Sequence, residues 1–252
     1  MTTEATRAEV CVVACADTYR GVGEILGHAV GIIPTLGARL AKLTFAPNLV
    51  MSDGEAFFMH TPPPLGKTAS SGGVLESWLP FGKVFDVLAT GRRQSIMGAS
   101  QIDQYGNQNI SLIGDRSHPK RQLIGVRGAP GNTANHRVDY WVPQHSTRIF
   151  VEEVDMVSGV GNNHLEGFGT GLKYHQLGQI VTNLCVFGYG PEGRLEVVSV
   201  HPGVSLNEIE ENTGFSLATS EVPTTRIPDD EELRLIREVL DPKGIRSREV
   251  PE

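Results

Sequence analysis

Helix-like and strand-like segments alternate within the first fifty residues, and this alternation constrains the fold more than any other feature of the sequence. Apolar positions recur near helical spacing over residues 4–19, and a second helix is expected over residues 36–43, after Pro34. Short apolar runs predict strands at residues 23–25 and 49–51. Helix, strand, helix and strand in such close succession are typical of an α/β fold with a parallel sheet.

The rest of the sequence continues this pattern without an internal repeat or a low-complexity linker. It predicts a helix over residues 81–89, strands over 95–97, 122–126, 138–142 and 147–151, a β pair formed by 180–187 and 195–200, and helices over 205–211 and about 228–240. A segment with six glycines, residues 159–178, is expected to form a long loop that faces solvent or a partner. We therefore predict one domain over residues 1–252, with an open, mostly parallel sheet and flanking helices.

Composition and charge exclude several classes of protein. Apolar residues make up 39% of the chain, enough for a sizeable core, which excludes a disordered chain or a disulfide-stapled miniature. The net charge of −7, without a basic cluster, lacks the electrostatic signature of a nucleic-acid-binding protein. Three cysteines without framework spacing suit a reducing compartment. Neither a signal peptide nor an apolar run that could span a membrane is visible, so we expect a cytoplasmic protein.

The polar loop after the predicted strand at 95–97 is the most informative segment. Residues 98–109 read Gly-Ala-Ser-Gln-Ile-Asp-Gln-Tyr-Gly-Asn-Gln-Asn, so amides, one carboxylate and a glycine fall in one turn. Such a loop can satisfy its own backbone, as an Asx turn does. It can instead bind a ligand at the carboxyl end of a parallel strand, with Gln101, Asp103 and Asn107 as the contacts. Both interpretations remain open at this stage.

A second candidate is the segment 127–135, which reads Arg-Gly-Ala-Pro-Gly-Asn-Thr-Ala-Asn. Its glycines permit a close approach of backbone N–H groups to an anion or a thioester oxygen, and Asn132 is placed to donate at a helix start. The segment lacks the lysine of a phosphate loop and the spacing of a dinucleotide fingerprint. The candidate binding residues here are Arg127, Gly128, Gly131, Asn132 and Asn135.

Two carboxylates follow directly on the predicted strand at 49–51. Asp53 and Glu55 lie where an acid can act as a nucleophile or a general base, although a turn aspartate more commonly accepts hydrogen bonds from its own backbone. The eight histidines show no metal-binding spacing, so no metal is assigned.

Four ordered stretches of the sequence together resemble the β subunit of the class I coenzyme A (CoA) transferases. They are residues 31–49, with Gly-Ile-Ile-Pro and Ala-Pro-Asn-Leu, residues 98–109, residues 128–135, and residues 181–215, with Val-Thr-Asn-Leu and His-Pro-Gly-Val. The resemblance implies an open α/β fold, a heterodimer or heterotetramer with a similarly folded α subunit, and an active site at the subunit interface. It also implies an acyl-CoA substrate and no separate cofactor, because CoA is part of the substrate.

One departure from the family pattern concerns the nucleophile. The transferases carry a glutamate soon after the Ala-Pro-Asn-Leu strand, whereas this chain reads Ser52-Asp53-Gly54-Glu55. Asp53 is one methylene shorter than glutamate, and Glu55 is displaced by two residues. Either is a poor substitute in a covalent reaction that tolerates little misplacement of the attacking oxygen.

The same departure resembles a branch of the family that hydrolyses a ring carbon–carbon bond in steroid degradation. This resemblance implies a CoA thioester bearing a cyclic ketone as substrate, a retro-Claisen cleavage, and a main catalytic glutamate on the α subunit. Three hypotheses follow. The chain is a subunit of such a hydrolase, a subunit of a true transferase with Asp53 or Glu55 as nucleophile, or a scaffold that completes its partner's site.

Overall fold

The computed structural model of the chain describes residues 4–52, 57–165, 168–217 and 221–251. The chain forms two compact units. The first contains the residues up to Ile96 together with those from Thr225 onward, and the second contains residues 97–224. Each unit has strands and helices of its own, and the single domain expected over residues 1–252 stays a prediction.

The first unit is built from alternating helices and strands. Its helices are α1 (Arg7–Asp17), α2 (Ile32–Leu43), α3 (Ala69–Gly72) and α4 (Lys83–Leu88), and its strands are β1 (Leu26–Ala29), β2 (Val50–Ser52), β3 (Phe57–Thr61), β4 (Val74–Trp78) and β5 (Arg93–Met97), which ends in the second unit. Strand β1 pairs in parallel with both β5 and β2, and β3 and β4 extend the sheet antiparallel. A Cβ on Gly37 of α2 would lie 2.7 Å from the Cβ of Cys15 in α1, so the two helices are in close contact.

The second unit has a short parallel pair followed by antiparallel strands. Its elements are β6 (Gln101–Ile102), β7 (Gln108–Asn109), β8 (Leu112–Ile113), β9 (Arg121–Gln122), α5 (Ala129–Asn135), β10 (Arg137–Val142), two 3₁₀ helices (Asn162–His164 and Gly169–Leu172), β11 (Gln176–Thr182), β12 (Cys185–Tyr189), β13 (Leu195–Val200) and α6 (Leu206–Glu211). Strands β10 and β11 are parallel, and β11, β12 and β13 are antiparallel. Phe150, Phe187 and Tyr140 are among the large side chains of its buried core.

The chain returns to the first unit with α7 (Asp230–Arg234), which continues as a π-helix (Leu235–Leu240) and is followed by a 3₁₀ helix (Ile245–Arg248). This segment supplies both cations that bind the fully buried Glu9 of α1. Arg237 donates to both carboxylate oxygens (2.7 and 2.8 Å), and Arg246 donates to Glu9 Oε1 (2.8 Å). Burial raises the pKa of the Glu9 carboxyl, but these arginines outweigh burial and hold the pKa below its ordinary value.

The α/β fold class predicted from the sequence is confirmed. Each unit combines parallel with antiparallel pairing: β5, β1 and β2 are parallel in the first unit, as are β10 and β11 in the second, and the other paired strands are antiparallel. Ser205 caps α6 by accepting a hydrogen bond from the Glu208 N–H (3.1 Å), as the sequence predicts. No helix in the described part of the chain is long and apolar enough to cross a membrane.

Several strand predictions are wrong in position or extent. The first strand begins at Leu26 because Gly21 and Gly23 both take positive φ in the preceding turn. Of the strand predicted at 122–126, only Gln122 belongs to a strand, β9, and the region at 147–151 forms an isolated bridge through Phe150. The predicted strand 180–187 is two strands, because the Thr182 hydroxyl accepts the N–H groups of Leu184 and Cys185 and closes a turn between them. The hairpin of β3 and β4 was not predicted.

Candidate functional site

The loop at residues 98–109 folds into a hairpin of β6 and β7, with Asp103 in the turn. The Asp103 carboxylate accepts hydrogen bonds from the backbone N–H of Tyr105 (3.0 Å) and of Asn107 (3.1 Å), and from Asn107 Nδ2 (2.8 Å). The N–H of Gly106, which has positive φ, donates to the Asp103 carbonyl (3.0 Å). Burial raises the pKa of the Asp103 carboxyl, and the three N–H donors oppose this rise. The carboxylate thus holds the turn together.

Asn107 connects this turn to a segment more than fifty residues later in the chain. Its Nδ2 donates to Asn163 Oδ1 (2.9 Å), and its Oδ1 accepts from the Gly161 N–H (2.7 Å). A Cβ on Gly161 would lie 2.6 Å from the backbone nitrogen of Asn107, and both Gly159 and Gly161 are buried. The expectation of an exposed loop over 159–178 is therefore wrong for its first residues, where glycine permits a close backbone approach.

Gln101 also uses its polar atoms within the protein. Its Oε1 accepts from Asn109 Nδ2 (2.6 Å) and from the Asp155 N–H (3.0 Å), and its Nε2 donates to Asp155 Oδ2 (3.0 Å). Since Asp103 and Asn107 are engaged in the same way, the geometry favours the structural interpretation of this loop. Contact of these three side chains with substrate stays a prediction.

A cleft of about 410 Å³ lies beside the same loop. Glu152, Glu153 and Asp103 line this cleft, together with Tyr105 and His164. Carboxylates concentrated on one surface repel phosphate groups, so the cleft is a poor match for the nucleotide part of CoA.

Arg127 and Gly128 form the exposed turn that leads into α5. Arg127 has φ 47°, a left-handed conformation that is uncommon for residues other than glycine. Gly128 is the N-cap, and no side chain caps the helix there. The backbone of this turn is accessible, and its contact with an anion or a thioester oxygen stays a prediction.

The amides of α5 face their own unit. Asn132 Nδ2 donates to the Met97 sulfur (3.1 Å), and Asn132 Oδ1 lies 3.1 Å from His136 Nε2. Asn135 Nδ2 donates to the Gly131 carbonyl (2.8 Å). In this geometry Asn132 attaches α5 to the end of β5, and Asn135 stabilises the helix itself. The predicted ligand contacts of both residues stay predictions.

The loop and α5 are joined through one shared segment. Gln108 Nε2 donates to the Gly98 carbonyl (2.6 Å), and the backbone N–H of Gln108 donates to the Gly159 carbonyl (2.9 Å). Thr133 Oγ1 of α5 accepts from the N–H of Val160, the next residue (3.1 Å). The two polar motifs of the sequence therefore lie in one connected region of the second unit.

A buried histidine that the sequence analysis did not single out organises the stretch 181–215. His145 Nδ1 lies 3.1 Å from Thr182 Oγ1, and Nε2 lies 3.0 Å from Thr213 Oγ1. Its backbone N–H donates to Asn183 Oδ1 (2.8 Å). Burial lowers the pKa of His145 to about 3, so the imidazole is neutral at physiological pH. A lone histidine carries no spacing signal, which is why the sequence did not reveal this cluster.

The carboxyl ends of β1 and β2 carry His28 and Ser52 in the first unit. The predicted catalytic residues, Asp53 and Glu55, come one and three residues after Ser52 and lie outside the described residues. Burial, and then the positive charge of Arg93, lower the pKa of His28 to about 4. The sequence analysis missed His28 because it placed the first strand at residues 23–25.

Among the residues that the structure describes, no three His, Cys, Asp or Glu side chains form a metal-binding group.

The family model of the coenzyme A transferases matches residues 25–212 of this chain. The chain belongs to the coenzyme A transferase family. Within this family, it is 49% identical over 250 residues to the cholesterol ring-cleaving hydrolase IpdB subunit of Rhodococcus jostii (strain RHA1), which covers 98% of this chain and 97% of the relative. The crystal structure of Rhodococcus jostii RHA1 IpdAB contains a chain that matches with a TM-score of 0.94 and 48% identity, over 99% of this chain and 100% of that chain.

A true transferase of the same family is less similar. The matching subunit of the 3-oxoadipate CoA-transferase of Pseudomonas knackmussii is 32% identical, over 91% of each chain. Both comparisons cover nearly the whole of this chain. The higher identity to the hydrolase subunit, 49% against 32%, is therefore not confined to one motif.

Proposed function

We propose that this chain is the β subunit of a heteromeric hydrolase that opens the last steroid ring of a CoA thioester. The observation that carries the proposal is the 49% identity, over almost the full length of both chains, to a cholesterol ring-cleaving hydrolase subunit. The sequence Ser52-Asp53-Gly54-Glu55 supports it, because it departs from the transferase pattern at the position of the covalent nucleophile. A true transferase is the alternative that the experiment below tests, whereas a scaffold role for this chain is compatible with a hydrolase complex.

The proposed reaction adds water to the ring ketone of the substrate. The resulting tetrahedral alkoxide re-forms a carbonyl and breaks the bond to the carbon between the ketone and the thioester. That carbon takes the electron pair as a thioester enolate and is then protonated. The product has gained one water, carries a new carboxylate and keeps its CoA. The reaction needs a base and donors for the oxyanion, and it requires no cofactor beyond the CoA of the substrate.

The partner in this proposal is a homologous α subunit, in a heterodimer or heterotetramer, that supplies the main catalytic glutamate. An apolar surface on the first unit supports such assembly. Trp78, Phe81 and Phe85 are 67%, 76% and 61% exposed, and the rings of Phe81 and Phe85 are in edge-to-face contact at 5.9 Å. Large exposed aromatic side chains in and after an edge strand are typical of a surface covered by another chain.

We also place the complex in the cytoplasm. The three cysteines are buried side chains rather than a disulfide framework, which suits a reducing compartment.

The test uses the co-purified α/β complex, a ring-ketone CoA thioester and excess acetate, with mass spectrometry of the CoA products. We expect a product that has gained one water and still carries CoA. Formation of acetyl-CoA and the free acid would instead establish a transferase. The Asp53→Ala and Glu55→Ala complexes extend the test, because a hydrolase without a nucleophile on this chain forms no CoA adduct in any of the three. A CoA adduct on this chain that disappears in either variant would overturn the proposal.

A further inference from the structure

The first unit contains a cleft of about 170 Å³ on one face of its sheet, lined by residues of the parallel strands β1, β2 and β5. Leu26 of β1 aligns with Arg93 of β5, and His28 lies two residues after Leu26, so the three share one face of the sheet. Gln94 points to the other face, where its amide donates to the Thr18 carbonyl (3.0 Å). The strand register thus places Arg93 and His28 together in the cleft.

Two nitrogen-containing side chains of different charge form the polar part of the cleft. Arg93 is only 7% exposed and keeps its charge, since a guanidinium is not deprotonated in proteins. His28 is neutral at pH 7, because burial and the charge of Arg93 lower its pKa to about 4. Ser52 adds a hydroxyl at the end of β2. This part of the cleft therefore contains a cation and two neutral polar side chains, which suit an oxygen of a ligand.

The other residues that line the cleft are apolar: Leu26, Leu79, Phe81 and Val84. An apolar cavity of roughly 150 Å³ is known to hold a benzene ring. A cleft of about 170 Å³ is therefore the right size for one six-membered carbocycle, and too small for a four-ring steroid.

We propose that this cleft binds the ketone-bearing ring of the thioester, with the ring against Leu79, Phe81 and Val84 and the ketone oxygen facing Arg93. The inference rests on the proposed hydrolase function and assigns Arg93 a catalytic role in it. When water adds to the ketone, the oxygen becomes an alkoxide, and after the ring bond breaks it belongs to the new carboxylate. The guanidinium therefore binds the transition state more tightly than the neutral ketone, which is the condition for raising kcat. The buried cation and the apolar wall together select a single carbocycle whose ketone faces the cation.

The first test replaces Arg93 and its exposed neighbour in the α/β complex. We expect Arg93→Gln to lower kcat by about 10²–10³-fold, the usual loss of an oxyanion donor, with a small change in KM. Arg92→Gln, one residue earlier and exposed, should behave as the wild type. Binding of cyclohexanecarbonyl-CoA, whose ring has no ketone, should be equal in wild type and Arg93→Gln. Equal kcat in Arg93→Gln and wild type would overturn the inference.

A second pair of variants does not disturb the buried arginine. Val84→Trp fills the cleft from α4 and should raise KM at least about tenfold by overpacking the ring site. Asp86→Trp places the same side chain at an exposed position two residues later, on the other side of the same helix, and should not raise KM. An unchanged KM in Val84→Trp, with the complex assembled, would refute the ring site. If the wild-type complex makes no hydrated product at all, the proposed function fails instead, and the two failures are distinct.

Discussion

Asp103 shows how one buried carboxylate can maintain a loop without touching a ligand. We expect Asp103→Asn to lower the free energy of unfolding by about 2 kcal/mol. The NH₂ group of the asparagine would replace a carboxylate oxygen that accepts hydrogen bonds from N–H groups, and those donors would lose their acceptor. The KM of the complex that still assembles should stay near the wild-type value. The measurements are urea unfolding of the chain and steady-state kinetics of the complex.

Asp115 provides the matched control for this substitution. It accepts similar bonds from the Ser117 backbone and hydroxyl, but in an exposed turn. Asp115→Asn should therefore leave stability unchanged. Wild-type stability combined with a raised KM in Asp103→Asn would favour direct substrate contact over the structural role.

Glu9 makes stability depend on pH in a defined direction. The pKa of Glu9 is lowered in the folded chain. Its contribution to the free energy of unfolding is therefore fully present above pH 4.5, the ordinary pKa, and is lost as the pH falls through the lowered pKa. We expect Glu9→Gln to lose about 3 kcal/mol at pH 7, since two partly buried arginines lose their anion. The difference from wild type should narrow in urea titrations below pH 4.5.

The control for Glu9 is Glu231, whose ion pair with Arg234 is exposed on both sides. Glu231→Gln should match the wild type at every pH, because exposed ion pairs contribute little. A constant difference between wild type and Glu9→Gln from pH 7 to pH 4 would contradict the assigned role of ionised Glu9.

At the scale of elements, Gly161 joins two segments that lie far apart in sequence. Gly161→Ala should destabilise the chain by roughly 1–3 kcal/mol, because the added Cβ overlaps the backbone at Asn107 and neither side can yield. Gly171→Ala is the matched control, since nothing lies within 4 Å of its added Cβ. Equal thermal midpoints for the two variants would show that the close approach is not maintained in solution.

The elements that the sequence predicts correctly are those with a local signal. The periodic helix α1 and the apolar strand β2 are found where they were expected, and so is the helix over 83–88. The hairpin of β3 and β4 has no such signal, because every side chain of β4 is exposed and Met59 is the one fully buried side chain of β3. The turn at Thr182 was missed because a hydroxyl, rather than glycine or proline, closes it.

In the candidate site, too, the features with a local sequence signal could be predicted and those that depend on distant contacts could not. Residues 98–109 and 127–135 could be singled out because polar and glycine-rich runs after strands are visible in a sequence. Their connection through Gly159 and Val160 could not, since close packing of distant backbone leaves only a glycine as its trace. His28 and Arg93 come together through the parallel register of β1 and β5, which depends on pairing across more than sixty residues.

For the whole molecule, the apolar surface on β4 and α4 predicts dependence on a partner. The double variant Trp78→Asp and Phe85→Asp should weaken α/β association at least about tenfold, because large aromatic side chains carry much of the energy of an interface. Ile227→Asp removes an equally exposed apolar side chain outside this surface and should not. Size-exclusion chromatography with light scattering, at several concentrations, measures both. Association of the double variant at wild-type strength would place the interface elsewhere.

The first unit is assembled from two stretches of chain, with the whole second unit between them. During synthesis, residues 97–224 are made as one continuous stretch before Arg237 and Arg246 are added to the chain. Until then the carboxylate of Glu9 lacks both of its cations, and burying it alone would be costly. The first unit therefore starts to be made before the second unit but completes its folding only when the last residues of the chain are available. The second unit is free to fold as a unit before then.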